Sequence, residues 1–195
     1  MHYLVGIDEA GRGPLAGPVA VGIVKISLDF KKNFFTGIKD SKKLTALGRE
    51  LWFARTLTAR REGKLDFAVS LVSEKIIDRK GIVYAISIGI KRSLEALNVP
   101  TNVQIFLDGG LKAPKPFKHQ RTVIRGDEKI PVISLASIVA KVTRDRKMTR
   151  LSKKFPKYNF HIHKGYGTSE HRRAIKKYGL TVIHRRSFLK TLTST

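Results

Sequence analysis

Residues 3–24 read YLVGIDEAGRGPLAGPVAVGIV, and the rest of the chain is organised around them. Tyr3, Leu4, Val5 and Ile7 have the aromatic and β-branched character of a buried strand. That strand is expected to stop on Asp8 and Glu9. Neither acid belongs in an apolar sheet unless a cation meets it, and the plainer alternative is a strand end open to water. Consecutive strand residues point to opposite faces, so the two acids share a site only if the strand ends or bends there. Gly11 and Gly13 make a bend possible, because without a Cβ the backbone can take φ > 0 and approach a ligand. Arg12 between them offers a planar donor fork suited to phosphate.

Gly11, Gly13 and Gly17 superficially resemble a dinucleotide-binding loop, but that loop needs a helix opening on its last glycines. Here Pro14 and Pro18 bracket the segment, and residues 19–26 read as a second strand. A nucleotide cofactor is therefore not expected.

The whole chain has 195 residues, with 39 Lys+Arg against 15 Asp+Glu and a net charge of +24. So large an excess points to a polyanionic partner, nucleic acid before an anionic membrane surface. Cysteine is absent, which excludes disulfides and thiolate metal sites. No apolar run reaches the roughly 20 residues of a bilayer span, and acids interrupt the N-terminus too early for a secretory signal. The expectation is a cytoplasmic protein with no membrane association, and a monomer.

Further along, Lys39, Lys42 and Lys43 surround Asp40 and Ser41 in a basic loop, either a solvated face or a phosphate contact before a helix. Ser41 or Thr45 could cap that helix, read over residues 44–61 with Leu47, Leu51, Ala54 and Leu57 or Thr58 as its apolar face. Trp52 is assigned to packing. Residues 66–72 read as a third strand and 76–97 as one long helix, weakened by Gly81 and Gly89. Residues 99–107 supply a link and a fourth strand, and 121–125 a short fifth.

The fourth strand also delivers an acid at its tip, Asp108, with Gly109 and Gly110 behind it. Asp127 follows in a turn before an apolar helix whose Ser134, Ala136, Ser137 and Ala140 form a small-residue face. On that helix Asp145 follows Arg144, as an ordinary ion pair or as a supporting acid. The tail interleaves aromatics with Lys and Arg, a pattern suited to stacking on sugars or bases while phosphates are neutralised. Its residues 169–178 read as a helix capped by Thr168 or Ser169. His161, His163 and His171 lack metal-ligand spacing and are expected to be surface or structural groups.

Asp8, Glu9, Asp108 and Asp127 thus stand at strand ends and glycine turns of a cationic protein. Carboxylates gathered together repel unless hard cations bind between them, and all-oxygen ligation suits Mg²⁺ or Mn²⁺. Two such ions on a nucleic-acid surface are what two-metal phosphodiester hydrolysis requires.

GIDEAGRGPLAGPV, KDSKKL, LDGG, ISLASIVAKVTRDRKM, HKGYGT and HRRSF, in this order, resemble the ribonuclease HII family from Tyr3 to about Phe188. The resemblance implies an α/β, RNase H-like fold: a mixed five-stranded sheet flanked by helices, with a C-terminal helical extension. On that reading residues 1–150 are catalytic and 151–195 a basic extension packed on them. It implies cleavage of RNA in RNA–DNA hybrids and 5′ to ribonucleotides embedded in duplex DNA, leaving 3′-OH and 5′-phosphate ends. Asp8, Glu9, Asp108 and Asp127 match the family's catalytic and metal-binding acids. Gly11, Arg12 and Gly13 match the loop that reads the 2′-OH, the group separating RNA from DNA. Tyr166 matches the tyrosine that stacks on the sugar beside the RNA–DNA junction. Lys39, Lys42 and Lys164 are the candidate phosphate contacts. Two departures stand out: IDRKGI where the family would have an Asn-containing segment, and Glu128 behind Asp127, which could add charge to the acid cluster. A non-catalytic nucleic-acid-binding protein on the same fold, or a different two-metal nuclease, are the competing readings. Retention of all four acids speaks against the first, and GRG with KGYGT against the second.

Overall fold

The computed structural model describes residues 3–30, 32–38 and 44–189. In chain order the elements are β1 (Tyr3–Ala10), β2 (Val19–Ser27), α1 (Ala46–Arg61), β3 (Leu65–Val72), α2 (Glu74–Lys80) and α3 (Ile82–Ala96). They continue with β4 (Gln104–Asp108), β5 (Gln120–Val123), α4 (Gly126–Lys129), α5 (Pro131–Lys154), α6 (Phe160–His163) and α7 (Ser169–Tyr178). The strands form one mixed sheet of order β3-β2-β1-β4-β5. β1 to β3 run antiparallel, while β4 and β5 continue parallel from β1.

Helices cover both faces of the sheet, which is why β1 and β2 carry near-continuous apolar runs instead of a clean alternation. On one face Ala85, Ile86, Ile90 and Leu94 of α3 pack over Val5, Ile7, Val21 and Ile105. On the other, Val132, Leu135, Ala136 and Val139 of α5 share a core with Trp52 and Phe53 of α1. A Cβ at Gly6 would meet the Val132 carbonyl and one at Gly22 the Ala136 carbonyl, so two strand glycines let α5 lie directly on the sheet. The expected small-residue face of α5 is thereby borne out. A third core joins Leu15 and Ala16 to Met148, Tyr158, Phe160, Ile175, Ile183 and Leu189 and fastens the tail to the loop after β1.

Several sequence expectations need correction. β1 does not stop on Asp8 and Glu9; its pairing with β2 runs on through Asp8↔Gly22 and Glu9↔Val21 to Ala10↔Ala20. The expected long helix over 76–97 is two helices. Gly81, at φ 85° and ψ 162°, breaks it, because that backbone leaves the α region. Gly89 stays inside α3, where its bare backbone faces the Val21 side chain. α1 begins two residues later than expected, on Thr45, one of the two expected caps, whose hydroxyl accepts from the Gly48 N–H at 3.1 Å. Its apolar face is also rotated from the expected one: Trp52, Phe53, Thr56 and Ala59 are buried, whereas Leu47 and Leu51 are 70% and 64% exposed. Two aromatic rings bury more area than two leucines, and they decide which way the helix turns. The helix over 169–178 is α7, capped by Thr168, whose hydroxyl accepts from the His171 N–H.

Candidate active site

Parallel pairing of β1 with β4 ends at Ile7↔Leu107, one residue before an acid on each strand. Asp8 and Asp108 therefore emerge side by side at the same end of the sheet. Glu9 follows on β1 beyond the last β4 pair, at the open side of the strand. The strand stays regular through both acids, and what joins them is charge: that of Asp108 acts on Asp8 and on Glu9 alike.

Asp8 is 4% exposed. Its Oδ1 accepts from the Glu9 N–H at 2.7 Å, and the Ser137 side chain of α5 favours its charged form. Burial pushes the Asp8 carboxyl well above the ordinary range, and the charges of Glu9 and Asp108 push it further. Burial also raises Glu9; Arg12, 3.4 Å away, opposes that rise and Asp108 adds to it. Asp108 Oδ1 accepts from the Gly126 N–H at 2.6 Å, which ties the start of α4 to the tip of β4. A Cβ on Gly126 would lie 2.6 Å from Ile133 Cδ1 and 3.4 Å from Asp108 Oδ1, so only glycine lets the two segments meet. Asp127, next in sequence, is buried in the single helical turn of α4, just before the apolar helix α5 as expected. Its backbone carbonyl accepts from the Ser134 hydroxyl of α5. Glu128 is exposed and adds no charge to the interior.

The chemistry of this donor set fits hard divalent cations: carboxylate oxygens, with the charges of Glu9 and Asp108 acting on the buried Asp8. Among the described residues, no three Asp, Glu or His side chains yet converge in a geometry ready to hold an ion.

Beside the acids lies a cleft of about 350 Å³ lined by Glu9, Gly11, Arg12, Gly13, Ser137 and Tyr166 among others. The acid, the GRG loop and the tyrosine that the sequence singled out, 157 residues apart at the extremes, thus share one space. Tyr166 is 42% exposed, with the Lys141 ammonium 5.7 Å and the Arg144 guanidinium 5.8 Å from its ring centre. Lys164 is set apart: its ammonium donates to the Thr149 hydroxyl at 3.2 Å and to the His161 carbonyl, on a separate groove of about 850 Å³ between α1 and α5. Lys39 and Lys42 lie outside the described residues, as does Ser41.

Arg49 and Lys141 line the cleft and were not singled out from the sequence. Nor were the two buried arginines that hold its loop. Arg144 is fully buried and donates to three backbone carbonyls, Pro18 at 2.9 Å, Lys164 at 3.0 Å and Ala16 at 3.2 Å. Arg185, also fully buried, donates to Gly11 at 2.7 Å, Arg12 at 2.9 Å and Gly17 at 2.9 Å. A signal for Arg144 did exist: Ala136, Ala140, Arg144 and Met148 form one i+4 row, which puts the arginine on the buried face. Arg185 lies in irregular backbone and has no such signal. Asp145 does form an ordinary ion pair, but with Lys141 at 2.9 Å one turn earlier, since Arg144 points the other way.

The histidines are structural. His163 and His171 stack with ring centres 4.5 Å apart, and His171 Nε2 lies 3.0 Å from Nε2 of His184, a residue with no signal of its own in the sequence. Burial draws His171 and His184 down to about 4, so both rings are neutral at pH 7. His171 Nδ1 lies 2.9 Å from the Tyr166 carbonyl and so braces the loop that presents the tyrosine. His161 is exposed.

Comparison with known proteins agrees with this geometry. Residues 5–191 match the family described as Ribonuclease HII. A Ribonuclease HII of Caldicellulosiruptor bescii is 42% identical over 193 residues, 99% of this chain and 89% of that protein. The ribonuclease H2 of Pyrococcus horikoshii superposes with a TM-score of 0.70 at 29% identity, over 95% of this chain and 93% of that one. An RNase HII of Archaeoglobus fulgidus, solved as a complex with PCNA, gives 0.73 at 26% identity over 95% and 94%. The mixed five-stranded sheet is the RNase H-like fold of these neighbours, Glu9 and the GRG loop meet at one cleft, and the chain belongs to the ribonuclease HII family of metal-dependent endonucleases.

Proposed function

We propose that this chain hydrolyses the RNA strand of RNA–DNA hybrids and cuts 5′ to ribonucleotides embedded in duplex DNA, leaving 3′-OH and 5′-phosphate ends. One observation carries the reading: Glu9, whose charge acts on the buried Asp8 and is acted on by Asp108, lines the same cleft as the GRG loop and Tyr166. Asp8, Glu9, Asp108 and Asp127 are its catalytic acids and would hold two divalent ions, Mn²⁺ or Mg²⁺. Bound there, the ions supply Lewis-acid activation of water and charge neutralisation at the leaving 3′-oxygen.

The chain's own groups do the rest. Gly11, Arg12 and Gly13 present backbone close to the 2′-OH, and Tyr166 offers its face to the neighbouring sugar. Lys39, Lys42 and Lys164 are proposed phosphate contacts, to which the position of Arg49 and Lys141 in the cleft adds two more. With a net charge of +24, binding depends steeply on salt. We treat residues 151–195 as an extension packed on a catalytic unit of residues 1–150; the third apolar core supports that packing, and α5 runs across the boundary as far as Lys154. The protein acts in this reading as a cytoplasmic monomer; no helix among the described residues is long and apolar enough to cross a membrane.

The test is cleavage of a DNA duplex carrying one ribonucleotide, with Mg²⁺, Mn²⁺ or EDTA, by wild type and Asp8→Asn. A metal-dependent cut 5′ to the ribonucleotide, lost in the variant while binding persists, is expected. Cutting only within longer RNA tracts would withdraw the junction roles of GRG and Tyr166. No cutting with any metal by folded, DNA-binding protein would leave a binding module.

A further inference from the structure

The proposed function gives the GRG loop a sugar hydroxyl to sense; Arg185 explains how that loop comes to be aimed. All three of its donor nitrogens are spent on backbone carbonyls, those of Gly11, Arg12 and Gly17. In a planar trans peptide the C=O and N–H of one unit point in opposite directions. Drawing the Gly11 and Arg12 carbonyls inward to Arg185 therefore turns the N–H groups of Arg12 and Gly13 outward. Outward from Arg185 is the cleft that Gly11, Arg12, Gly13, Glu9 and Tyr166 line.

The surroundings allow little other arrangement. Gly11 sits at φ +89°, and a Cβ there would run into the Arg144 guanidinium. Arg144 pins the far side of the same loop through Ala16 and Pro18 and fastens it to Lys164, two residues before Tyr166. A bridge between Ala16 and His184 sets the segment carrying Arg185 alongside. Asp78 of α2 then anchors the next two residues, its carboxylate accepting from the Arg186 and Ser187 N–H groups at 2.9 and 3.0 Å.

We propose that Arg185 is the positioning residue for 2′-OH recognition: by gripping the Gly11 and Arg12 carbonyls it aims the Arg12 and Gly13 N–H groups into the cleft as hydroxyl-reading donors. This rests on the proposed ribonuclease function. Burial, and Arg144 beside it, pull Arg185 down to about 9, which leaves it charged at neutral pH and its bonds charge-assisted. Neither lysine, with one nitrogen, nor glutamine, with one amide, can span three carbonyls.

Equilibrium binding in EDTA tests this, with two DNA duplexes identical but for one ribonucleotide and with wild type, Arg185→Lys and Arg185→Gln. Two neutral hydrogen bonds are together worth a preference of about tenfold. Wild type is expected to show that preference. The variants, with wild-type circular dichroism and unchanged affinity for the all-DNA duplex, are expected to lose it. Folded variants that keep the preference overturn the proposal. Should neither variant fold, amide exchange on wild type decides: the Arg12 and Gly13 N–H groups slow with the ribonucleotide duplex and not with the all-DNA one. Equal exchange in both overturns the proposal even if metal-dependent cutting 5′ to the ribonucleotide is observed. Loss of that cutting as well would bring down the underlying function.

Discussion

Two buried charged groups lie within one loop of each other, and they are satisfied in opposite ways. At the strand ends, burial raises the proton affinity of Asp8 and Glu9, the charge of Asp108 adds to both and that of Glu9 to Asp8, and Arg12 opposes the rise only at Glu9. Across the GRG loop, Arg144 and Arg185 are fully buried, deeper than the half-buried Glu9 and Asp108, but six backbone carbonyls absorb their donors. The arginine pair is complete within the fold and can serve as a frame. The acids are not, and their incompleteness is what a cation would relieve. A protein that keeps carboxylates under mutual repulsion has stability to gain from a ligand, whereas carbonyl-bound arginines have stability to lose from any change.

The largest effect that would break this contrast lies at Asp8. Asp8→Asn should reduce cleavage by roughly a thousandfold or more, on the scale of removing a catalytic group. In EDTA the same variant should melt above wild type, because a carboxyl raised by burial and by Glu9 and Asp108 destabilises the folded state at pH 7. Adding Mn²⁺ should then raise the melting temperature of wild type and leave that of the variant unmoved. An Asp8→Asn protein that melts lower in EDTA would show the acids are already satisfied.

On the other side, Arg144→Gln strips donors from three carbonyls and should cost on the order of 3–5 kcal/mol in urea denaturation. Arg146→Gln makes the control. Two residues along α5, Arg146 pairs with Glu50 at the surface, and its loss should cost no more than about 1 kcal/mol. Equal losses would mean that burial, the feature separating the two, is not what counts.

A smaller effect comes from the imidazoles that brace Tyr166. His171 and His184 fall from 6.5 unfolded to about 4 folded, so the unfolded chain binds more protons between those values. Stability is fully present above pH 6.5 and drains away as pH falls toward 4, by on the order of 3 kcal/mol for each ring. His171→Gln, which cannot charge, should flatten that part of the stability–pH curve. The smallest change belongs to Leu51→Lys on the outer face of α1, within about 0.5 kcal/mol of wild type by thermal melting.

Much of this molecule was legible in its sequence. Apolar runs marked the strands, because a sheet covered on both faces needs them, and residues 169–178 announced their helix by a cap at Thr168 or Ser169, which proved to be Thr168. Asp8, Glu9 and Asp108 could be picked out because an acid beside an apolar strand and before glycine has no cheap structural explanation. The GRG and KGYGT segments stood out by pattern. Local pattern failed where competing local signals had nearly equal weight. In α1 two leucines and two aromatics each proposed a face, and only packing against α5 chose between them. In the long apolar stretch after β3, a single glycine was enough to divide one helix into two.

Tertiary structure alone decided how the pieces meet. Nothing in the spacing of residues 9, 11–13 and 166 says that they line one cleft, since that contact depends on where β4 ends and how the tail folds back. Nor could the sequence show that Arg185 reaches Gly11, because a bond across 174 positions leaves no periodic trace. Sequence determines which groups carry charge and which stretches avoid water; desolvation, register and the direction of a peptide unit exist only once the chain has closed on itself.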